Sequence, residues 1–420
     1  MSSSPAAFAP PSPPSMWPAL VVLAVIVLLP LGRTAELPIA IGAVAGIVLL
    51  VRSRLDVRND PSLGLAAMLF ACYWIPTLLS AIAPVEPAKT WSTVVSTLRF
   101  LPFALFAAYA LRRERDSATV AAATGLLIML WVIDAYVQIA TGYSLGGPAE
   151  AERLSGIFGA GNLKLGPVLA VLSPFVLLTA RERFGWPGLA IAFALLAVPI
   201  LLAGSRAAWV MYAIVCLLIG WHATRRKRTF ALVLLAIAVS SAAFVAIALR
   251  DSHGFGARIE RSLLVLRGTT SAVDAASAGR ISIWRTALAM TRAHPITGVG
   301  ARGFRYAYPN YAAPGDTFVD TASDTGASHA HQIVLEVLSE TGVVGLLFWI
   351  AGSWLALRAW ARADPPARAR ALAPALALVA MCFPVNTHLA FYSAWWGLLF
   401  WWLLALYCAA LGAREDEAHA

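Results

Sequence analysis

The sequence predicts an all-α polytopic membrane protein with about twelve transmembrane helices and one large helical loop. Hydrophobic residues make up 60% of the 420 residues, charged residues only 13%, and the mean hydropathy is +0.73. Apolar stretches of about 20 residues, long enough to cross a bilayer as helices, recur along the chain. Basic residues gather in alternate turns between these stretches, which is typical of multi-pass membrane proteins.

The composition argues against several other classes of protein. Ordinary globular chains carry about 25% charged residues, so a cytosolic enzyme or a disordered chain is a poor fit. The net charge of +10 suggests nucleic acid at first sight, but the basic residues are scattered between apolar runs, and we expect no nucleic-acid partner. Each of the four cysteines lies inside an apolar run, without metal-ligand spacing.

The twelve predicted spans fall into two groups that flank the large loop. Residues 16–249 hold the first nine spans and residues 332–412 hold the last three. The predicted limits are 16–32, 35–51, 61–83, 91–111, 117–140, 162–180, 185–203, 207–222, 229–249, 332–357, 371–386 and 389–412. Residues 1–15, rich in Ser, Pro and Ala, are predicted to be a disordered cytoplasmic tail, and residues 413–420 a second short cytoplasmic tail.

Positive charge sets the predicted orientation, because loops rich in Arg and Lys stay in the cytoplasm. Most basic residues lie in the even-numbered turns and the last tail: Arg52, Arg54, Arg58, Arg112, Arg113, Arg115, Arg181, Arg183, Arg225, Arg226, Lys227, Arg228, Arg358, Arg362, Arg368, Arg370 and Arg414. Both termini are therefore predicted to be cytoplasmic. The polar loop 250–331 then lies on the outer face, with one helix near 259–266 and another from about Arg280 to His294 that Pro295 ends.

A polar stripe marks the point where this loop enters the tenth span. Gln332, Glu336 and Glu340 are four residues apart and share one helix face. A carboxylate at membrane depth is costly unless it is paired, so the stripe should face protein or a wet cavity. His331 precedes it and is either a functional residue or an interfacial residue at the helix entry.

Several cations fall on the side opposite the basic loops. Arg206 follows Gly204 and Ser205 at a junction between spans, and Arg280 and Arg285 lie on the second loop helix. Lys89, and Arg153 beside the Gly-rich turn 155–162, complete the set, while Arg99 lies within the fourth span and needs an internal partner. Each Arg alone is as readily a solvated or snorkelling charge, but together they predict a site for an extracytoplasmic polyanion such as a pyrophosphate.

Two further patterns are weaker. His329 and His331 could share a face in an extended segment, but no third ligand lies nearby, so we expect no metal site. Residues 298–303 fit the pattern G-x-G-x-x-G. They follow a helix and a proline rather than a strand, so we reject a dinucleotide site and interpret them as a flexible turn.

The motifs resemble those of the O-antigen ligase and polymerase superfamily. The run from His331 and Gln332 through Leu335, Glu340, Gly342 and Gly345 looks like its signature. The resemblance extends to Gly279-Arg280-x-x-x-Trp284, to His294-Pro295-x-x-Gly298-x-Gly300-x-x-x-Phe304, to Ser205-Arg206, and to Ser155-Gly156-x-Phe158-Gly159-x-x-Asn162. Twelve spans with one large periplasmic loop are similar to O-antigen ligases of Gram-negative bacteria.

The resemblance implies a glycosyltransferase fold related to the C-type class, in the bacterial inner membrane, with a periplasmic active site. The implied donor is polysaccharide on undecaprenyl diphosphate, and the implied acceptor is a sugar hydroxyl of lipid A–core. The family's reaction uses neither metal nor ATP, so no cofactor is expected.

The charged residues suit this chemistry. We expect His331 to act as the base for the attacking hydroxyl in an inverting transfer, and Arg206 and Arg280 to stabilise the leaving diphosphate. The supporting substrate contacts would come from Lys89, Arg153, Arg285, Gln332 and Glu336.

Three alternatives remain open from the sequence. An O-antigen polymerase would use the same donor with another lipid-linked glycan as acceptor. A protein O-oligosaccharyltransferase would act on Ser or Thr. Such enzymes often carry an additional C-terminal periplasmic region, and the short cytoplasmic tail predicted here counts against this alternative. A transporter is disfavoured because we find no convincing internal repeat, and the polar residues gather at the outer ends of spans.

Overall fold

The computed structural model describes residues 16–150, 153–223, 279–384, 386 and 390–413. The predicted ninth span, the predicted helix near 259–266 and residues 1–15 and 414–420 lie outside the described residues. Within the described part the fold is helical, apart from a short hairpin of β1 (Tyr143–Ser144) and β2 (Gly147–Pro148).

Eight helices lie in the described residues up to residue 223. They are α1 (Trp17–Val27), α2 (Glu36–Val51), α3 (Pro61–Leu79), α4 (Pro87–Thr97), α5 (Phe100–Ala110), α6 (Glu114–Thr141), α7 (Leu165–Leu202) and α8 (Arg206–Ala223). Five more lie in the described residues from 279 onwards, the first two of them within the large loop: α9 (Arg280–Ala293), α10 (Phe304–Tyr311), α11 (Ile333–Arg362), α12 (Pro365–Cys382) and α13 (Ala394–Gly412). Short 3-10 turns lie at Leu29–Leu31 and Gly156–Phe158.

The described helices include seven segments long and apolar enough to cross a membrane. They are Pro61–Leu79, Pro87–Ala110, Glu114–Thr141, Leu165–Leu202, Arg206–Ala223, Ile333–Arg362 and Ala394–Gly412. The helices α1 and α2 are apolar but shorter. The chain is therefore a multi-pass membrane protein.

Two predicted boundaries can be compared with the structure. The sixth and seventh predicted spans both lie in α7, in which two helices meet at the non-helical Gly185 (φ 68°, ψ −152°), just before Pro187, so the predicted turn is a sharp break at that residue. The fourth predicted span is two helices, because α4 ends at Thr97 and α5 begins at Phe100. Helix α9 begins at Arg280 and ends one residue before His294, which confirms the helix predicted before Pro295.

Local sequence explains where several helices begin. The Asp60 carboxylate accepts hydrogen bonds from the backbone N–H groups of Ser62 (2.9 Å) and Leu63 (3.3 Å), and Pro61 occupies the first helical position of α3. The Asp364 carboxylate likewise accepts from Ala367 N–H (2.7 Å) at the start of α12. These capped starts place the polar turns at the ends of the bundle.

Helix α13 lies at the centre of the bundle and is buried along nearly its whole length. Trp401 and Trp402 have no exposed surface, and the Trp402 indole donates a hydrogen bond to the carbonyl oxygen of Val22 in α1 (2.8 Å). Tyr73 of α3 meets the Trp401 ring edge-on, with centroids 5.5 Å apart. The core is thus an aromatic cluster around α13, with α3, α5 and α12 packed against it.

Contacts between turns define an arginine-rich end of the bundle. The Arg370 guanidinium donates to the Ala413 carbonyl oxygen (2.9 Å) and lies 3.6 Å from the carboxylate of Glu114. Arg52, Arg112 and Arg113 line one cavity at this end. The basic turns after α2, after α5 and between α11 and α12, which the sequence groups on one side, therefore lie at one end of the bundle.

Candidate active site

At the opposite end of the bundle, α11 is broken at Gly342 (φ 68°, ψ −165°). Residues 294–303, here called the glycine segment, fill the break. The N–H groups of Val299 and Gly300 donate to the carbonyl oxygens of Ser339 (2.8 Å) and Glu340 (3.0 Å), and Val343 N–H donates to the Pro295 carbonyl oxygen (2.8 Å). Backbone groups that the break frees thus find partners, as a helix at membrane depth requires.

Close backbone contact explains the glycines of this segment. A Cβ atom at Gly298 (φ 69°) would lie 2.4 Å from the carbonyl carbon of Glu340. A Cβ atom at Gly300 (φ 101°) would lie 2.6 Å from the hydroxyl of Thr90 in α4. The structure has the predicted turn, but residues 298–301 are buried, so the turn is packed between α4 and α11 rather than flexible.

The polar stripe of α11 points into the protein, as the sequence predicts. Glu336 and Glu340 have no exposed surface. One Glu340 carboxylate oxygen accepts from the backbone N–H of Arg302 (2.6 Å), and one Glu336 oxygen accepts from Tyr392 N–H (3.5 Å). The positive charge of Arg302 acts on both carboxylates. These acids therefore fix the glycine segment and the approach to α13 to one face of α11.

His331 occupies the entry to α11 in a left-handed backbone conformation (φ 51°). Such a conformation is uncommon for a residue other than glycine and costs of order 1–3 kcal/mol, and it concentrates at functional sites. The rings of His329 and His331 lie 3.9 Å apart, centroid to centroid, and Ser328 Oγ is 2.9 Å from Nδ1 of His329. The two imidazoles thus form one pair on the same side of the chain.

Gln332 anchors this entry. Its side-chain oxygen accepts the backbone N–H of Leu335, which caps α11, and its amide nitrogen donates to the Pro384 carbonyl oxygen (2.7 Å). Gln332 therefore ties the start of α11 to the end of α12. In the parts of the chain that the structure describes, no cluster of three or more His, Cys, Asp or Glu residues with metal-site geometry occurs.

Arg206 and Arg280 are brought within electrostatic range of each other. Each begins a helix, α8 and α9, immediately after a turn that contains a glycine with positive φ, namely Gly204 (71°) and Gly279 (74°). Burial, and then the positive charge of Arg206, lower the pKa of the Arg280 guanidinium. Helix N-termini favour anions, so two cations at two such termini form a candidate anion site.

The other predicted cations lie around this arrangement at different depths. Arg285 is exposed on another face of α9, whereas Arg280 is partly buried. Lys89 lies in the first turn of α4, one residue before the Thr90 that contacts Gly300. Arg153 precedes Leu154, whose N–H donates to the Leu202 carbonyl oxygen (3.2 Å). Arg153 is therefore beside the turn that leads to Arg206.

The Gly-rich turn after Arg153 is held by polar residues of α6 that sequence reasoning missed. The Gln138 side-chain oxygen accepts from the N–H groups of Ser155 (3.1 Å) and Gly156 (2.7 Å). Asp134, one helical turn earlier and also buried, accepts from Leu145 N–H (2.7 Å). The sequence contains a pattern that predicts this role, since two polar residues four apart in an apolar span indicate a helix face that points into the protein.

Arg99 has the internal partner that its position in the fourth span requires. Its guanidinium lies 2.9 Å from the carboxylate of Glu36 at the start of α2. The same guanidinium lies over the Phe100 ring, 4.5 Å from its centroid. Arg99 thus joins the junction of α4 and α5 to α2.

Comparison with known proteins adds the family. Residues 191–350 match the family model described as O-antigen ligase. The match includes the arginine pair, α9 and the start of α11, so this region of the chain is similar to the O-antigen ligase family. A search of curated proteins found no match. The family indicates a membrane glycosyltransferase of O-antigen processing, of the ligase or polymerase type.

Proposed function

We propose that this chain is an O-antigen ligase of the inner membrane. It would transfer polysaccharide from undecaprenyl diphosphate to a sugar hydroxyl of lipid A–core, on the periplasmic side. The observation that carries this proposal is the Arg206–Arg280 pair, which holds two positive charges at two helix N-termini. Both residues lie within the matched family region.

The arginine pair suits a diphosphate leaving group. As the bond between the anomeric carbon and the diphosphate oxygen breaks, the electron pair leaves with that oxygen, and negative charge develops there. Cations fixed in advance stabilise this charge without reorganisation, and each such group is worth about 10²–10³-fold in rate at comparable sites. Lys89, Arg153 and the exposed Arg285 would contact the outer parts of the donor.

His331 is the proposed base. The acceptor hydroxyl is a weak nucleophile, and it attacks the anomeric carbon as its proton passes to an imidazole nitrogen of His331. A positioned base of this kind contributes about 10²–10⁴-fold. One direct displacement inverts the anomeric centre. Gln332 and Glu336 would act behind the histidine, because the first caps α11 and the second is fully buried.

The test is transfer by the purified protein in liposomes. Lipid-diphosphate-linked glycan is supplied with and without lipid A–core, in the presence of EDTA. We expect glycan to appear on lipid A–core. The rate of this transfer should fall by at least about a hundredfold in His331→Ala and in Arg206→Gln. The matched controls His222→Ala and Arg362→Gln change exposed residues outside the candidate site and should transfer normally.

Other outcomes would redirect the proposal. Longer glycans on the diphosphate, formed without lipid A–core, would indicate a polymerase and contradict the proposed acceptor. Glycan on Ser or Thr of a supplied protein would indicate an oligosaccharyltransferase. Normal transfer by a well-folded His331→Ala protein would contradict the assignment of the base, and loss of transfer in EDTA would contradict a metal-independent reaction.

A further inference from the structure

A second candidate site lies at the arginine-rich end, far along the chain from the family region. A cavity of about 480 Å³ opens between α1, α2 and α5. Its walls are mostly apolar or aromatic and include Trp17, Ala45, Val48, Leu49, Phe106 and Tyr109. Arg52, Arg112, Arg113 and Asp116 complete the lining. The volume is within the range of small-molecule sites, about 300–1,000 Å³.

Glycine contacts explain why the cavity exists at this level of the bundle. A Cβ atom at Gly46 would lie 2.0 Å from the Pro102 carbonyl oxygen, and one at Gly42 would lie 2.8 Å from the Phe103 ring. Helices α2 and α5 therefore touch backbone to backbone near Gly46. Towards Arg52, the larger side chains Val48 and Leu49 replace the glycines, and space opens between the helices.

The cavity joins an apolar interior to a cationic mouth. Arg52, Arg112 and Arg113 are all exposed, and against them the lining contains one carboxylate, that of Asp116. The Arg112 guanidinium lies over the Tyr109 ring, 4.2 Å from its centroid, which holds this charge at the edge of the apolar wall. Val48 and Trp17 are 41% and 48% exposed, so the apolar wall of the cavity continues onto the outer surface of the bundle.

We infer that this cavity binds an anionic phospholipid, with the phosphate headgroup among Arg52, Arg112 and Arg113 and the upper acyl chain against Val48 and Phe106. A soluble phosphate would leave the apolar walls in contact with water. A lipid without net negative charge would gain less from the arginines, because the cation of its own headgroup offsets the phosphate. Basic pockets between transmembrane helices are known to recognise lipid headgroups in this way.

The test measures lipid binding to the purified full-length protein in detergent. Phosphatidylglycerol, phosphatidylcholine with the same chains, and glycerol 3-phosphate are titrated and followed by native mass spectrometry. Replacing Arg112 and Arg113 by Gln should weaken phosphatidylglycerol binding about thirtyfold, which corresponds to about 2 kcal/mol for two arginines near a headgroup. Ala45→Phe, which fills the cavity and leaves the arginines in place, should weaken it as well.

The matched control is the pair Arg358→Gln and Arg362→Gln. These arginines are exposed and sit near the end of α11, close to the start of α12, but they do not line the cavity. Their loss should change phosphatidylglycerol binding less than twofold. An equal loss in both pairs would show only general attraction of lipids to basic residues and would overturn the site. If phosphatidylcholine or glycerol 3-phosphate bound as tightly as phosphatidylglycerol, the proposed ligand would be wrong.

Discussion

Replacing Gly342 by alanine should release the glycine segment from α11. Gly342 has φ 68° and ψ −165°, a region that is essentially open to glycine alone and costs other residues about 1–3 kcal/mol. An added Cβ atom would lie 2.1 Å from the carbonyl oxygen of Ile296 and 2.6 Å from the nitrogen of Thr297. Because both neighbours are backbone atoms, relief requires the chain to move, at a further cost of about 1–3 kcal/mol.

We therefore expect Gly342→Ala to weaken the attachment of the glycine segment by about 2–6 kcal/mol, adding the two costs. The assay is hydrogen exchange of the detergent-solubilised protein, read by mass spectrometry over residues 294–303 and 339–344. Their N–H groups include those of Val299, Gly300 and Val343, which cross the break. Even the lower value, about 2 kcal/mol, corresponds to exchange roughly thirtyfold faster.

Gly315→Ala is the matched control. Gly315 also has positive φ (78°), but no atom lies within 4 Å of the position that its Cβ would take. It should show only the cost of the left-handed conformation, about 1–2 kcal/mol, in its own loop. Unchanged exchange in Gly342→Ala, or an equal effect of both substitutions on residues 294–303, would refute the role of the close backbone contact.

Three further predictions concern polar contacts. In the absence of donor, Arg280→Gln should raise the thermal stability of the protein, because it removes a partly buried charge that Arg206 repels. The same substitution should lower the rate of transfer. Stability is measured by size-exclusion chromatography after heating, and a reduced stability would contradict this prediction. Gln138→Leu should speed hydrogen exchange in the Gly-rich turn, because two backbone N–H groups lose their acceptor, at about 1–3 kcal/mol. A double-mutant cycle of Arg99→Gln and Glu36→Gln should give a coupling of about 1 kcal/mol or less, since both side chains are about one-quarter exposed, and a much larger coupling would be unexpected.

Hydropathy predicts the helices of this protein better than their interruptions. The apolar runs that form α6, α8 and α13 can be recognised from the sequence because each is long and continuous. The break at Gly342 cannot be recognised in this way, since the local run Thr341-Gly342-Val343-Val344-Gly345 also fits a straight helix. Its cause lies some 40 residues earlier, where the glycine segment supplies the backbone partners, and no local pattern reports a contact at that separation.

For a similar reason, the sequence predicts some parts of the candidate site and not others. The cations were found because charge in an apolar sequence stands out, but Arg280 and Arg285 could not be ranked until α9 was placed. The structure puts Arg280 partly buried in range of Arg206 and leaves Arg285 exposed. The sequence leaves open whether His329 and His331 share a face, because the left-handed backbone of His331 decides where its ring lies.

The site thus combines a repulsive charge pair with a rigid support, and these two parts respond to mutation in opposite ways. Holding Arg206 near Arg280 costs stability that an anionic donor would offset, whereas the glycine segment contributes stability whether or not a donor is bound. Arg280→Gln should therefore raise stability and lower transfer, while Gly342→Ala should lower both. If the rate of transfer depended only on the stability of the fold, Gly342→Ala would reduce it and Arg280→Gln would not. The arginine substitution therefore distinguishes stabilisation of the donor's charge from an effect on folding.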